Sequence, residues 1–180
     1  MIFTAWSDGR FDLAGRTTWC SLGRAGVIAA DEKREGDGAS PVGVWPIRRG
    51  LYRPDRLAKP RSGVAFHPLS PDDGWCDAPD DVAYNRPVKR PYPASAEAMW
   101  RDDGVYDLVV VLGHNDDPPL AGKGSAIFLH LTRPDYAPTE GCVALDRADL
   151  ETLLALATAQ SFIAIRRTEE PLPLTGALEP

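Results

Sequence analysis

The chain has 180 residues, 43% of them hydrophobic and 26% charged, a size and balance suited to one buried core and not to a disordered or fibrous chain. A net charge of -6 and a pI near 5.0 exclude a global attraction to nucleic acid, whose phosphates select Lys/Arg-rich surfaces. No apolar run approaches the roughly 18 to 20 residues needed to cross a bilayer, and Met1 to Arg10 lacks the basic stretch and apolar segment of a secretory signal.

The first half reads as short β segments separated by Gly, Pro and Asp, at Ile2 to Trp6, Arg16 to Leu22, Gly26 to Ala30 and Val42 to Arg49. From Leu51 to Pro93 the chain is rich in Pro, Asp and Arg, which predicts long ordered surface loops of the kind that carry function. Ser95 is placed to cap a short helix through about Trp100 or Arg101. Tyr106 to Leu112 and Ser125 to Leu131 are nearly continuous apolar runs and predict two buried strands. Asp146 is the expected N-cap of a helix to about Ala159, because Leu150, Leu153, Leu154 and Ala157 recur at i, i+3, i+4 and i+7. Ser161 to Arg166 alternates as a last strand, and Glu169 to Pro180 reads as a Pro-rich tail behind a single domain of residues 1–168. Strands in a row before one strong helix give a β-rich α+β class, not a doubly wound parallel sheet.

Chemistry concentrates where the second buried strand ends. Three cysteines, Cys20, Cys76 and Cys142, are an odd number with no C-x-x-C pair, so at least one thiol is unpaired within the chain. A Cys20–Cys76 disulfide is formally open, but spacing alone cannot place it. Cys142 follows Gly141 and precedes an apolar strand, while His130 sits at the end of the preceding strand, with a Pro-containing loop between them. A free thiol is only about 3% thiolate at pH 7, and an adjacent imidazole is the usual means of activating it. Gly141 lacks a Cβ and allows close backbone approach, so N–H groups near Gly141 and Cys142 are candidate oxyanion donors. Free cysteine is also a commonly buried residue type, so Gly-Cys by itself carries little information.

Two segments resemble one family. Lys33-Arg34-Glu35-Gly36-Asp37-Gly38-Ala39-Ser40-Pro41-Val42-Gly43-Val44-Trp45 is similar to the K-x-x-G-D-x-x-T/S-P-x-G-x-[FW] segment of the L,D-transpeptidase (YkuD-type) catalytic domain. Gly124 to His130 followed by Thr139-Glu140-Gly141-Cys142-Val143-Ala144-Leu145 resembles that family's His and S/T-x-G-C. The resemblance runs from about Leu22 to Ile165. It implies mixed sheets forming a sandwich or barrel-like core with a few helices, Cys142 as nucleophile, His130 as general base and acid, and Thr139 and Gly141 as shapers of the nucleophile loop. It also implies peptidoglycan stem peptides as donor and acceptor, covalent inhibition by carbapenems, a cell-envelope or periplasmic site of action, and no metal or organic cofactor. Glu140 and Ala144 stand where many members carry His and Arg, and the interval from His130 to Cys142 is short, which marks a divergent subgroup and leaves the crosslink type open.

Further polar residues are candidates for substrate binding. Tyr84, Asn85 and Arg86 could clamp a stem peptide, the Arg86 fork being suited to a carboxylate. His114, Lys123 and Arg133 lie near the strand ends. His67, before Pro68, reads as structural, and the five tryptophans read as packing residues more readily than as a sugar platform. Three rival functions stand beside transfer: a carboxypeptidase or endopeptidase using the same dyad, a zinc site of His114, Asp116, His130 and Cys142, and a non-catalytic stem-peptide-binding domain.

Overall fold

The computed structural model describes residues 1–168; the Pro-rich tail expected from Glu169 to Pro180 lies outside them. Eight strands close into a ring. They are β1 (Ile2–Trp6), β2 (Arg10–Leu13), β3 (Arg16–Ser21), β5 (Ser40–Tyr52), β10 (Leu108–Leu112), β11 (Phe128–Leu131), β12 (Val143–Leu145) and β13 (Phe162–Arg166). Their order is β10-β11-β12-β3-β2-β1-β13-β5, and β5 returns to pair with β10. Closure removes the free edges that an open sheet would expose. The pairing is mixed: β1 with β13 and β11 with β12 are parallel, and the other neighbours in the ring are antiparallel. β5 joins the two halves because its 13 residues serve two partners, Gly43 to Pro46 on β13 and Ile47 to Tyr52 on β10. Two short parallel strands, β4 (Val27–Ala29) and β6 (Phe66–Pro68), attach to its two ends.

Every strand of the ring sends side chains into one apolar cluster, including Phe3, Phe11, Cys20, Ile47, Val110, Leu129, Leu145 and Ile163. Leu150, Leu153 and Leu154 of helix α1 (Arg147–Leu156) complete it. The predicted helix is present, with the Asp146 side chain accepting from Ala148 N–H at 2.9 Å. Asp149 in its first turn holds Arg16 and Thr18 of β3.

A second layer covers part of the ring. β7 (Asp73–Cys76), β8 (Pro87–Lys89) and β9 (Ala96–Ala98) form a three-stranded antiparallel sheet, the first two within the region expected to be loop. The helix expected from Ser95 is absent, because Ala96 to Ala98 pair with Gly74 to Cys76. Its residues satisfy their backbone in a ladder instead, and α1 is the one α-helix among the described residues. β2 was also unanticipated. Trp75, Met99, Val105 and Tyr106 cover Val109, Val111, Phe128 and Cys142, a second apolar cluster. The split between the clusters follows strand alternation. Leu108, Val110 and Leu112 face the ring interior while Val109 and Val111 face the cover, and Leu129 and Leu131 face inward while Phe128 faces outward. The β-rich α+β class and barrel-like core are as expected; the number of helices is smaller.

Candidate active site

The parallel register of β11 and β12 sets Leu129 opposite Val143 and His130 opposite Ala144. Val143 and Leu145 fill the ring interior, so period-two alternation turns Cys142 to the outer face, where Phe128 and His130 also point. Cys142 and His130 together line a cleft of about 510 Å³ under the rim of the second layer. Tyr106 stacks edge-on against His130 at 5.2 Å and against Phe128 at 6.0 Å, which fixes the imidazole plane.

The thiol is held by backbone. Cys142 S–H donates to the Ala126 carbonyl at 3.1 Å, and Phe128 N–H donates to Sγ at 3.4 Å. Burial pushes the thiol up to about 12, with Glu97 adding to the rise and the Phe128 N–H opposing it. His130 Nδ1 lies 2.9 Å from the Leu131 carbonyl, and a carbonyl only accepts, so Nδ1 carries the proton and Nε2 keeps its lone pair. Burial brings His130 down to about 4. The resting pair is therefore thiol and neutral imidazole, a combination able to pass one proton from sulfur to Nε2 as sulfur meets an electrophile.

The two sequence segments that stood far apart meet at the backbone of Cys142. Lys33, 2% exposed, pairs with Asp37. Burial would raise the Asp37 carboxyl, but Lys33 and the N–H groups of Ala39 and Arg34 hold it below its ordinary value. That turn delivers Ser40, whose Oγ accepts from Gly23 N–H at 2.9 Å and donates to the Cys142 carbonyl at 3.3 Å. Thr139 Oγ1 donates to the same carbonyl at 2.7 Å while accepting from Gly141 N–H at 3.1 Å. Gly141 has φ +134°, and a Cβ there would lie 2.9 Å from the Ala39 carbonyl oxygen. The close approach that requires glycine is to the protein's own backbone, not to an open surface.

The expected substrate-binding residues separate. Arg133 lines the cleft, 3.2 Å from Asp103, which also takes a bidentate bond from Arg101. Tyr84, Asn85, Arg86, His114 and Lys123 do not line it. Asn85 is buried with its amide fully used: Oδ1 accepts from Trp75 Nε1 at 2.9 Å and Ala126 N–H at 3.0 Å, and Nδ2 donates to the carbonyls of His114 and Asn115. It braces Ala126, which has φ +53° and holds the thiol. Tyr84 OH donates to Glu35. His114 is buried against Trp45, with Nε2 3.0 Å from the Lys123 carbonyl, and Lys123 Nζ donates to the Asp31 carbonyl. Arg86 lies in a second cavity of about 300 Å³ with Arg48, Arg49 and Trp75. His67 is exposed on β6. Cys20 and Cys76 are free and buried. His114, Asp116, His130 and Cys142 are not gathered, and among the described residues no group of three His, Cys, Asp or Glu side chains is placed to hold a metal ion.

Sequence reasoning missed Asp77, Glu97, Arg101, Tyr106 and Ser125, all of which line the cleft. Tyr106 and Ser125 sit at the mouths of the two predicted buried strands, where polar atoms on apolar runs are the available signal. Glu97 was hidden by the expected helix.

No curated protein matches this sequence. The family model for the L,D-transpeptidase catalytic domain (YkuD) matches residues 2–165, which spans the closed ring, the covering sheet and both motif segments. Among the described residues no helix is long and apolar enough to cross a membrane. The chain belongs to the L,D-transpeptidase catalytic domain family.

Proposed function

We propose that the protein is a peptidoglycan L,D-transpeptidase. Cys142 attacks the carbonyl at an L-centre of a stem peptide, the leaving amine departs, and the resulting thioester is passed to an amine of a second stem peptide. The observation that carries this reading is the placement of a buried thiol and a neutral imidazole on the same outer face of β11 and β12, opening into one cleft. In this scheme Nε2 of His130 takes the thiol proton as the C–S bond forms and gives it to the departing nitrogen. The Gly141 N–H is taken up by Thr139, so the Cys142 N–H is the donor that stabilises the oxyanion. Arg101 pairs with both Asp103 and Glu97, while Arg133 has only its share of Asp103 among the described residues, so the Arg133 fork suits a donor carboxylate. Residues 1–168 act as one catalytic domain, and the site of action is the cell envelope, where the polymer is.

Two measurements test the reading. Intact-mass spectrometry of the protein incubated with a carbapenem is expected to show a covalent increase that Cys142→Ala abolishes. Purified muropeptides are expected to yield crosslinked dimers. Trimmed monomers alone would assign a hydrolase instead, and unchanged muropeptides with no adduct would remove the catalytic reading.

A further inference from the structure

The cleft is lined by charges of both signs. Arg101 and Arg133 both pair with Asp103. Three further carboxylates, Glu35, Asp77 and Glu97, line the same cleft. Among the described residues Glu35 accepts only from the Tyr84 hydroxyl, and Glu97 accepts from the Tyr106 hydroxyl at 2.7 Å with Arg101 3.8 Å away. Among the described residues, Asp77 Oδ1 is buried with no hydrogen-bond partner, and so is Oγ of Ser125, a residue 7% exposed that lines the same cleft. The ammonium already in the cleft, Lys33, is taken up by Asp37 and the Arg34 carbonyl. Buried polar atoms in native structures are nearly always paired, so two orphaned oxygens in one cleft mark a missing donor. A primary ammonium supplies three N–H donors and one positive charge from a single atom.

We propose that Asp77 and Ser125, backed by Glu35 and Glu97, form a subsite for the primary ammonium of the acyl acceptor. This rests on the transpeptidase reading and assigns its acceptor side. The subsite concentrates the acceptor in its ammonium form, and Asp77 relays one proton from it to solvent. The neutral amine then attacks the thioester carbonyl, so that the C–N bond forms and the C–S bond breaks. Its second proton passes through His130 Nε2 to the Cys142 thiolate, which restores the resting pair. A neutral nucleophile has no use for these carboxylates, and water competes less well against an amine gathered there.

The test is the partition of the thioester. Wild type, Asp77→Asn and Ser125→Ala are acylated with a purified tetrapeptide muropeptide, and thioester, dimer and hydrolysed product are counted by mass spectrometry, with hydroxylamine as a neutral competing nucleophile. Asp77→Asn is expected to form thioester normally, to lower the dimer-to-hydrolysis ratio about ten-fold, as the loss of one charge-assisted hydrogen bond implies, and to leave hydroxamate yield unchanged. Ser125→Ala is expected to lower the ratio about three-fold, as loss of a single neutral hydrogen bond implies. An unchanged dimer ratio in both variants overturns the subsite while leaving the transpeptidase intact. An equal fall in dimer and hydroxamate also overturns it, because it makes Asp77 structural. Failure of the wild type to form any thioester removes the transpeptidase reading and the subsite with it.

Discussion

Strands β10, β11 and β12 show the same chemistry on both faces, nearly all of it apolar, yet the two faces have different covers. Their inner face meets the five other strands of the closed ring and α1, and its side chains Leu108, Val110, Leu129, Val143 and Leu145 are all 0% exposed. Their outer face meets a layer built from short strands and turns, and there Cys142 and His130 stay 8% and 7% exposed at the wall of a cleft. The inner face is a packing problem with one solution. The outer face leaves room for a ligand to complete it. A strand thus separates stability from reactivity across its own thickness, one residue apart.

That division can be broken first at Cys142, the nucleophile of the proposed function. Cys142→Ala is expected to abolish acylation, with a loss on the order of 10⁴-fold or more, while thermal unfolding moves little, since the site is a cleft wall. Steady-state turnover beside a melting curve checks both halves. On the opposite face three residues along the chain, Leu145→Ala is expected to destabilise by about 2 to 5 kcal/mol, read as a lowered denaturation midpoint, with activity per folded molecule retained. A large activity loss from Leu145→Ala at full folding would erase the distinction between the faces.

The acid limb sharpens the comparison. His130 is brought down to about 4 when folded, against about 6.5 unfolded. Between those values the unfolded chain binds the proton and the folded one does not, so stability falls as pH drops through that window, by at most roughly 1.4 kcal/mol per pH unit. Acylation is expected to hold steady above the window and decline as pH approaches about 4, when the imidazole no longer accepts. His130→Gln should flatten the stability slope in denaturant titrations at several pH values.

Asn85→Ala tests the join between the layers. It strands Trp75 Nε1 and the Ala126 N–H, and a loss of roughly 2 kcal/mol is expected, together with slower acylation because Ala126 holds the thiol. The smallest effect belongs to Arg24→Ala. Its pair with Glu140 is exposed on both sides, and less than about 0.5 kcal/mol should be lost.

The inner face was the legible one. β10 announces itself as a run of Leu and Val, and α1 by its leucine spacing and Asp146 cap, since local period and local capping decide both. The cover was not legible, because β7, β8 and β9 are three or four residues long and interrupted by Gly and Pro. Their strand character comes from pairing across distances that composition does not record. The same holds for the site. Cys142 and His130 stand out by type and spacing, whereas Asn85 looked like a ligand clamp and is a brace, because the four partners that use its amide come from three separate segments.

The bond from the Cys142 thiol to the Ala126 carbonyl has a consequence for chemical survival. Peroxides and alkylating agents consume thiolates, and they find them fastest where sulfur is exposed and its proton weakly held. Here the sulfur is enclosed and its proton committed to a carbonyl. Reagents arriving from bulk solvent meet an inert group, and reactivity begins only when a molecule shaped for the cleft displaces that arrangement. On the proposed function, reaction partners are screened by fit before they meet the thiol.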